Sequence, residues 1–221
     1  SRRLVRRRPP AHPGPRRAQA LAGKGALTRR LRVLFTGIQH SYGMPGRGLS
    51  IEQFFFARAL SRMPEVQVTL LPADELIREF GVKRAGEMLV SKALSKEDER
   101  PDVVFTVLGN PELDFLPEHI QALTDAGILT INWNCDDHWR LSHTLQWAMH
   151  YGKMVTTDPG AFENFGAQGL GEKIILSQWG CNPFDYRPGN GNKDLDIVFI
   201  GQPYGNRPEM IQALLQAGLR V

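Results

Sequence analysis

Along most of the chain, short apolar runs alternate with longer stretches whose apolar residues recur at helical spacing. "LRVLFTG" (31–37), "VQVTLL" (66–71), "DVVFTVLG" (102–109), "ILTINWN" (128–134), "KMVTTD" (153–158), "EKIILSQWG" (172–180) and "LDIVFI" (195–200) have the length and β-branched or aromatic content of strands. Between them the pattern predicts helices. One begins at Ser50, with Gln53 at capping-box spacing and Ile51, Phe54, Phe55 and Ala59 on one face. "ADELIREFG" (73–81) and "KRAGEMLVSKAL" (83–94) read as helical pieces joined at Gly81. "LPEHIQALTDAG" (116–127) closes on Gly127, a residue suited to the left-handed position after a helix. "SHTLQWAMHYG" (142–152) reads as a short helix, and "PGAFENFGAQG" (159–169) as a helix with Asp158 as N-cap and Pro159 in its first turn. After "LDIVFI" comes a helix with Asn206 and Glu209 at capping-box spacing and Met210, Ile211, Leu214 and Leu215 on one face, ended by Gly218.

Strict strand–helix alternation at crossover spacing predicts an α/β fold, a Rossmann-like parallel sheet with helices on both faces. "CNPFDYRPGNGNKD" (181–194) has no periodic apolar pattern and is dense in Pro, Gly and Asn, as expected of a linker. The expected organisation is a disordered basic tail over 1–30, a Rossmann-like domain over 31–180, a linker over 181–194, and the first βα unit of a second such domain over 195–221.

Charge changes this picture at one end. The formal net charge is +4, but residues 1–30 hold ten Lys or Arg and no acid. The remainder has 17 basic against 23 acidic residues, a balance of −6. An acidic folded part argues against a nucleic-acid-binding core and leaves the tail as the one polyanion-binding candidate. Two cysteines outside any CxxC pair, Cys135 and Cys181, point to packing roles and a reducing, cytoplasmic setting. No apolar run is long enough to span a bilayer.

P-loop, GxGxxG, HExxH and GxSxG signatures are absent. In open parallel sheets ligands bind beyond the carboxyl ends of the strands, so the loops there carry the candidates. "TGIQHSYGMPGRGLS" (36–50) has glycines, Gly37 first among them, that let a ligand approach, with His40, Tyr42 and Arg47 as polar tips. "NWNCDDHWR" (132–140) crowds Asn132, Asn134, Asp136, Asp137 and His138 at a strand end. A carboxylate there can bind sugar hydroxyls or act as general base, and His138 can do the same. Helix capping is the bland reading for one of the aspartates. Metal binding is the rival, but three consecutive residues make a poor ligand set. At "GQPYGNR" (201–207), Gly201 and Gly205 leave room for a phosphate over a helix start, with Arg207 as charge partner.

"INWNCDDHW", "VTTDPGAFENFGAQG", "WGCNPFDYRP" and above all "DIVFIGQPYGNRPEMIQALLQAGLRV" resemble the CgeB-like (spore-maturation-type) glycosyltransferases of the GT-B fold class. The resemblance runs from about Leu31 to the end. It implies two Rossmann-like domains facing across a cleft, the first receiving the acceptor and the second the nucleotide sugar. It further implies that this chain is a piece of a longer enzyme. By this resemblance Gly201, Tyr204, Gly205, Asn206 and Arg207 lie beside the donor diphosphate. Gly37, His40 and Arg47 face it from the first domain, and Asp136, Asp137 and His138 are candidates for acceptor binding or base catalysis. The expected co-substrate is a nucleotide diphosphate sugar, with no further cofactor and no essential metal; the acceptor is open. Two other classes stand beside this one: a non-catalytic Rossmann-like binding or scaffold domain, and a nucleic-acid-associated protein acting through the basic tail.

Overall fold

The computed structural model describes residues 29–107, 112–187, 189, 191 and 193–221. The expected tail over 1–30 lies almost wholly outside the described residues. The chain divides into two compact units, Ser1–Trp179 and Gly180–Val221.

The first unit is built on six parallel strands: β1 (Leu31–Gly37), β2 (Val66–Pro72), β3 (Val103–Val107), β4 (Leu129–Trp133), β5 (Lys153–Thr156) and β6 (Ile174–Leu176). Their order across the sheet is β2-β1-β3-β4-β5-β6. The chain steps from β1 to one side for β2, then returns to pair β3 with the other edge of β1. That reversal is a topological switch point, the place where open α/β sheets bind ligands.

The same order decides where the helices go. Right-handed crossovers put the β1–β2 connection on one face and every later connection on the other. The later helices are α2 (Ala73–Leu94), α3 (Pro117–Asp125), α4 (Asp137–Ala148) and α5 (Pro159–Ala167). They bury Leu89, Ile120, Leu123, Ala148 and Phe165 against Leu34, Val104, Met154 and Ile174. The opposite face has a smaller core, where Phe35, Val107 and Ala57 are joined by Phe56, Leu60, Phe105 and Trp133. Helices thus cover both faces, but unevenly.

Several elements differ from the sequence reading. The helix after Ser50 does begin there, with Gln53 N–H donating to Ser50 Oγ at 3.1 Å. Its middle, Gln53–Ala57, is a π-turn, followed by α1 (Arg58–Ser61). The wider turn rotates the buried face away from the expected one. Gln53 and Ala57 are buried with Phe56 and Leu60 packed beside them, whereas Ile51 is 59 % exposed. Gly81 breaks α2 as expected, at φ 76°, a backbone region that favours glycine. Helix α4 begins at Asp137 rather than Ser142, so the "DDHW" stretch is helical entry and not loop.

In the second unit, α6 (Arg207–Gln216) forms as expected. Residues 195–200 do not form the expected strand. Asp196 and Ile197 donate backbone hydrogen bonds to Arg220 O, at 2.9 and 3.2 Å, and no ladder continues from them. Val198 and Ile200 are 64 % and 93 % exposed. An apolar run becomes a parallel strand only with a neighbour to take its N–H and C=O groups, and among the described residues of this unit no such strand is present.

Candidate functional site

The carboxyl end of the sheet gathers a row of polar side chains. Strand register sets Thr36, Thr106 and Asn132 side by side across β1, β3 and β4, on the face covered by α2–α5. All three are buried. Thr106 Oγ1 bonds Asn132 Oδ1, and Tyr151 Oη lies 2.8 Å from the same hydroxyl. Asn132 Nδ2 donates to Asn134 Oδ1. The network continues towards α4, where Thr144 Oγ1 donates to Asp137 Oδ1 at 2.8 Å. Nearby, Asp114 Oδ2 lies 2.9 Å from His143 Nε2.

Three polar atoms in this region are buried without a hydrogen-bond partner: Thr36 Oγ1, Asn134 Nδ2 and Asp137 Oδ2. Such a group costs about 1–3 kcal/mol, so an unsatisfied trio at a strand end is a conspicuous arrangement. Burial raises the Asp137 carboxyl above the ordinary carboxylate range. Interactions with the Thr156 and Thr144 hydroxyls and the Asn134 amide oppose the rise.

The predicted residues around this cluster have unlike roles. Asp137 is 2 % exposed and belongs to it. Asp136 is exposed, sits at the N-cap position of α4 with φ 64°, and caps nothing with its side chain. His138 is exposed on the first turn. The three consecutive residues therefore point apart, and only Asp137 faces inward.

The loop after β1 is a tightly bonded structure rather than an open one. His40 and Leu49 form an antiparallel bridge, and Ser41 N–H donates to Gly48 O at 3.0 Å. The buried Asp74 at the start of α2 anchors it, accepting from Gln39 N–H at 2.8 Å and His40 N–H at 3.2 Å. The His40 ring sits 3.6 Å from Glu75 and 3.8 Å from Asp74. Arg47 is exposed and stacks over Tyr42, 5.3 Å from the ring centre. A Cβ at Gly37 would come 3.4 Å from Val107 O, an ordinary contact, so packing against β3 does not by itself demand a glycine there. Past Ser50 the chain meets the end of β4, where Glu52 and Asp136 both act on Cys135. Glu52 is itself raised, chiefly by burial.

In the second unit, Gly205 has φ 55° and precedes the start of α6. Asn206 makes no side-chain cap, which corrects the expected capping box. Arg207 Nη1 donates to Gln202 O at 2.8 Å, and its guanidinium lies 5.2 Å from the Tyr204 ring centre and 5.7 Å from that of Phe199. Tyr204 is 59 % exposed. A Cβ at Gly201 would come 3.1 Å from the Phe199 ring, so this glycine accommodates an aromatic neighbour.

Sequence reasoning missed Asp74, Asp114, Thr106, His143 and Tyr151. Thr106 and Asn132 left a signal: single polar residues inside apolar strand runs, on the face opposite Trp133. Among the described residues no group of three or more His, Cys, Asp or Glu is placed to hold a metal ion. Nor is any described helix long and apolar enough to cross a membrane. Compared with family models, curated proteins and solved structures, the chain matches none of them.

Proposed function

We propose that this chain serves glycosyl transfer from a nucleotide diphosphate sugar, its first unit receiving the acceptor and its Gly201–Arg207 turn binding the donor diphosphate. The observation that carries the reading is the buried, incompletely bonded polar cluster around Asp137, at the carboxyl end of an open parallel sheet. This is where such sheets take their ligands. A second feature agrees with it. Arg207 stands at the first turn of α6 with a carbonyl and two rings for partners, which leaves its charge available to an anion. Helix N-termini and guanidinium groups stabilise a leaving diphosphate through N–H donors, so the reaction proposed needs no bound cation. The buried carboxylate of Asp137 suits acceptor binding or proton transfer. Glycosyltransferase of the CgeB-like kind is the family to which this reading assigns the chain.

The test is calorimetric titration of the full chain with UDP-, GDP- and dTDP-sugars. One of them is expected to bind, and Arg207→Ala to weaken it roughly 10- to 100-fold, the value of a charge-assisted hydrogen bond. Asp137→Asn is expected to spare donor binding and to lower turnover. Absence of binding by every nucleotide sugar, or normal donor binding by Arg207→Ala, would reject the assignment.

A further inference from the structure

Among the described histidines, His143 alone is hydrogen-bonded to a carboxylate. Its Nε2 lies 2.9 Å from Oδ2 of Asp114, whose side chain is 5 % exposed. Trp147 Nε1 lies 3.1 Å from the same ring nitrogen. One ring nitrogen cannot donate to a carboxylate and accept from an indole at once. The contact to Asp114 is the shorter and is charge-assisted, so it takes the proton. The Trp147 indole then packs across the imidazole, with centroids 5.9 Å apart and planes inclined at 66°, which restricts the ring's rotation. A proton on Nε2 leaves Nδ1 with its lone pair. Both hydrogen bonds of His143 use Nε2, and Nδ1 is not sealed as the Nδ1 atoms of His40 and His119 are. The His143 side chain is 23 % exposed and shares a pocket at the carboxyl end of the sheet with Asn132, Asn134 and Thr144.

We infer that His143 is the general base of this site, taking the proton of an incoming hydroxyl on Nδ1, and that Asp114 is the positioning residue that fixes its tautomer. The role rests on the glycosyl-transfer reading. In that step the acceptor O–H bond breaks and its proton passes to Nδ1. The oxygen bonds to the anomeric carbon of the donor sugar. The bond from that carbon to the diphosphate breaks, and its electron pair leaves with the diphosphate. The imidazolium so formed stands against the Asp114 carboxylate, which favours the charged ring. His143 rather than Asp137 takes the proton, because Asp137 Oδ2 is sealed and Oδ1 already accepts from Thr144, whereas Nδ1 is open. His138, exposed on the first turn of α4, has no carboxylate to orient it among the described residues.

The test uses the full chain and whichever of the UDP-, GDP- and dTDP-sugars binds it, with water as acceptor and release of the nucleoside diphosphate as readout. His143→Gln keeps an amide N–H for Asp114 and removes the base. It is expected to bind the donor as the wild type does and to lower kcat roughly 100-fold or more, the usual weight of general-base catalysis. Asp114→Asn donates to Nε2 instead of accepting from it, which moves the ring proton to Nδ1. It is expected to lower kcat at unaltered donor affinity, and the 15N shifts of the labelled imidazole should show the change of tautomer, which lost packing alone would not produce. Diethyl pyrocarbonate, read by peptide mass spectrometry, is expected to modify His143 in the folded wild type, and this arm stands even where a variant fails to fold. An unmodified His143, a wild-type ring with its proton on Nδ1, a bound donor without turnover, or full kcat in a folded His143→Gln would overturn the inference. With a donor bound, any of these rejects the base and leaves the donor site standing. Absence of binding by every nucleotide sugar rejects the transfer reading and the base with it.

Discussion

Cys135 and Cys181 share a thiol and little else. Cys135 is largely enclosed at the end of β4, where burial, then the Glu52 and Asp136 carboxylates, push its thiol up to about 12. Cys181 is exposed. Because the thiolate is the reactive form, iodoacetamide at neutral pH should alkylate Cys181 and leave Cys135 untouched until the chain unfolds. Peptide mass spectrometry reads the two sites separately, and equal labelling in the folded state would contradict the enclosed setting of Cys135. Asp137 gives a second test at this scale. Its folded carboxyl titrates above its unfolded value, so its ionised form costs stability at neutral pH. The cost falls away as pH drops through the folded pKa towards the ordinary carboxylate range. Asp137→Asn has no such proton to gain. The melting temperature of the wild type minus that of the variant should therefore rise between about pH 7 and about pH 4. A difference that does not change with pH would mean that the carboxyl is not desolvated.

At the scale of elements, the α2–α3 contact depends on one missing methyl group. A Cβ on Gly86 would stand 2.0 Å from His119 Nδ1, a distance no packing tolerates. Alanine improves helix propensity by about 1 kcal/mol, but overpacking costs roughly 1–3 kcal/mol, and the buried His119 has little room to retreat. Gly86→Ala should thus destabilise the chain in urea unfolding. With His119→Ala already in place, the same substitution should be neutral or stabilising, and its remaining harmful there would dismiss the clash as the cause. The loop between β1 and the Ser50 helix hangs on Asp74 in a comparable way. Asp74→Ala removes the acceptor of two loop N–H groups, each worth about 1.5–3 kcal/mol when the acceptor is charged. Hydrogen exchange at Gln39 and His40 should accelerate in that variant, more than at Val104 in the sheet centre.

For the whole molecule, the strand order has one consequence that no single element contains. With right-handed crossovers, only the β1–β2 connection can cover its face, so four helices share the other. The Gly180–Val221 unit offers the contrast. Among its described residues it supplies an apolar run and a helix without a partner strand, and the run stays outside any sheet. Hydrogen exchange over Val198–Ile200 should be fast, and slower over Ile211–Leu214 in α6. Strong protection at Val198 to Ile200 would mean that the run is paired after all.

Apolar periodicity, turn residues and caps were local facts, and the chain carried them in plain view. The six strands of the first unit, the break at Gly81, the Asp158 cap with its bonds to Gly160 and Ala161 N–H, and the parallel α/β class all follow from spacing and residue type. Each depends on neighbours within about one helical turn or one strand. Tertiary structure decided whatever required a distant partner. Asp137 faces inward and Asp136 outward because Thr144, seven residues on, holds one carboxyl and nothing holds the other. The π-turn moved the buried face from Phe54 to Phe56 because Phe105 and Trp133 lay where the sheet had brought them. Thr106, Asn132 and Tyr151 became a polar cluster only when register aligned two strands and a helix end. Residues 195–200 had every local property of a strand, and a strand is the one element whose backbone bonds lie entirely outside its own sequence.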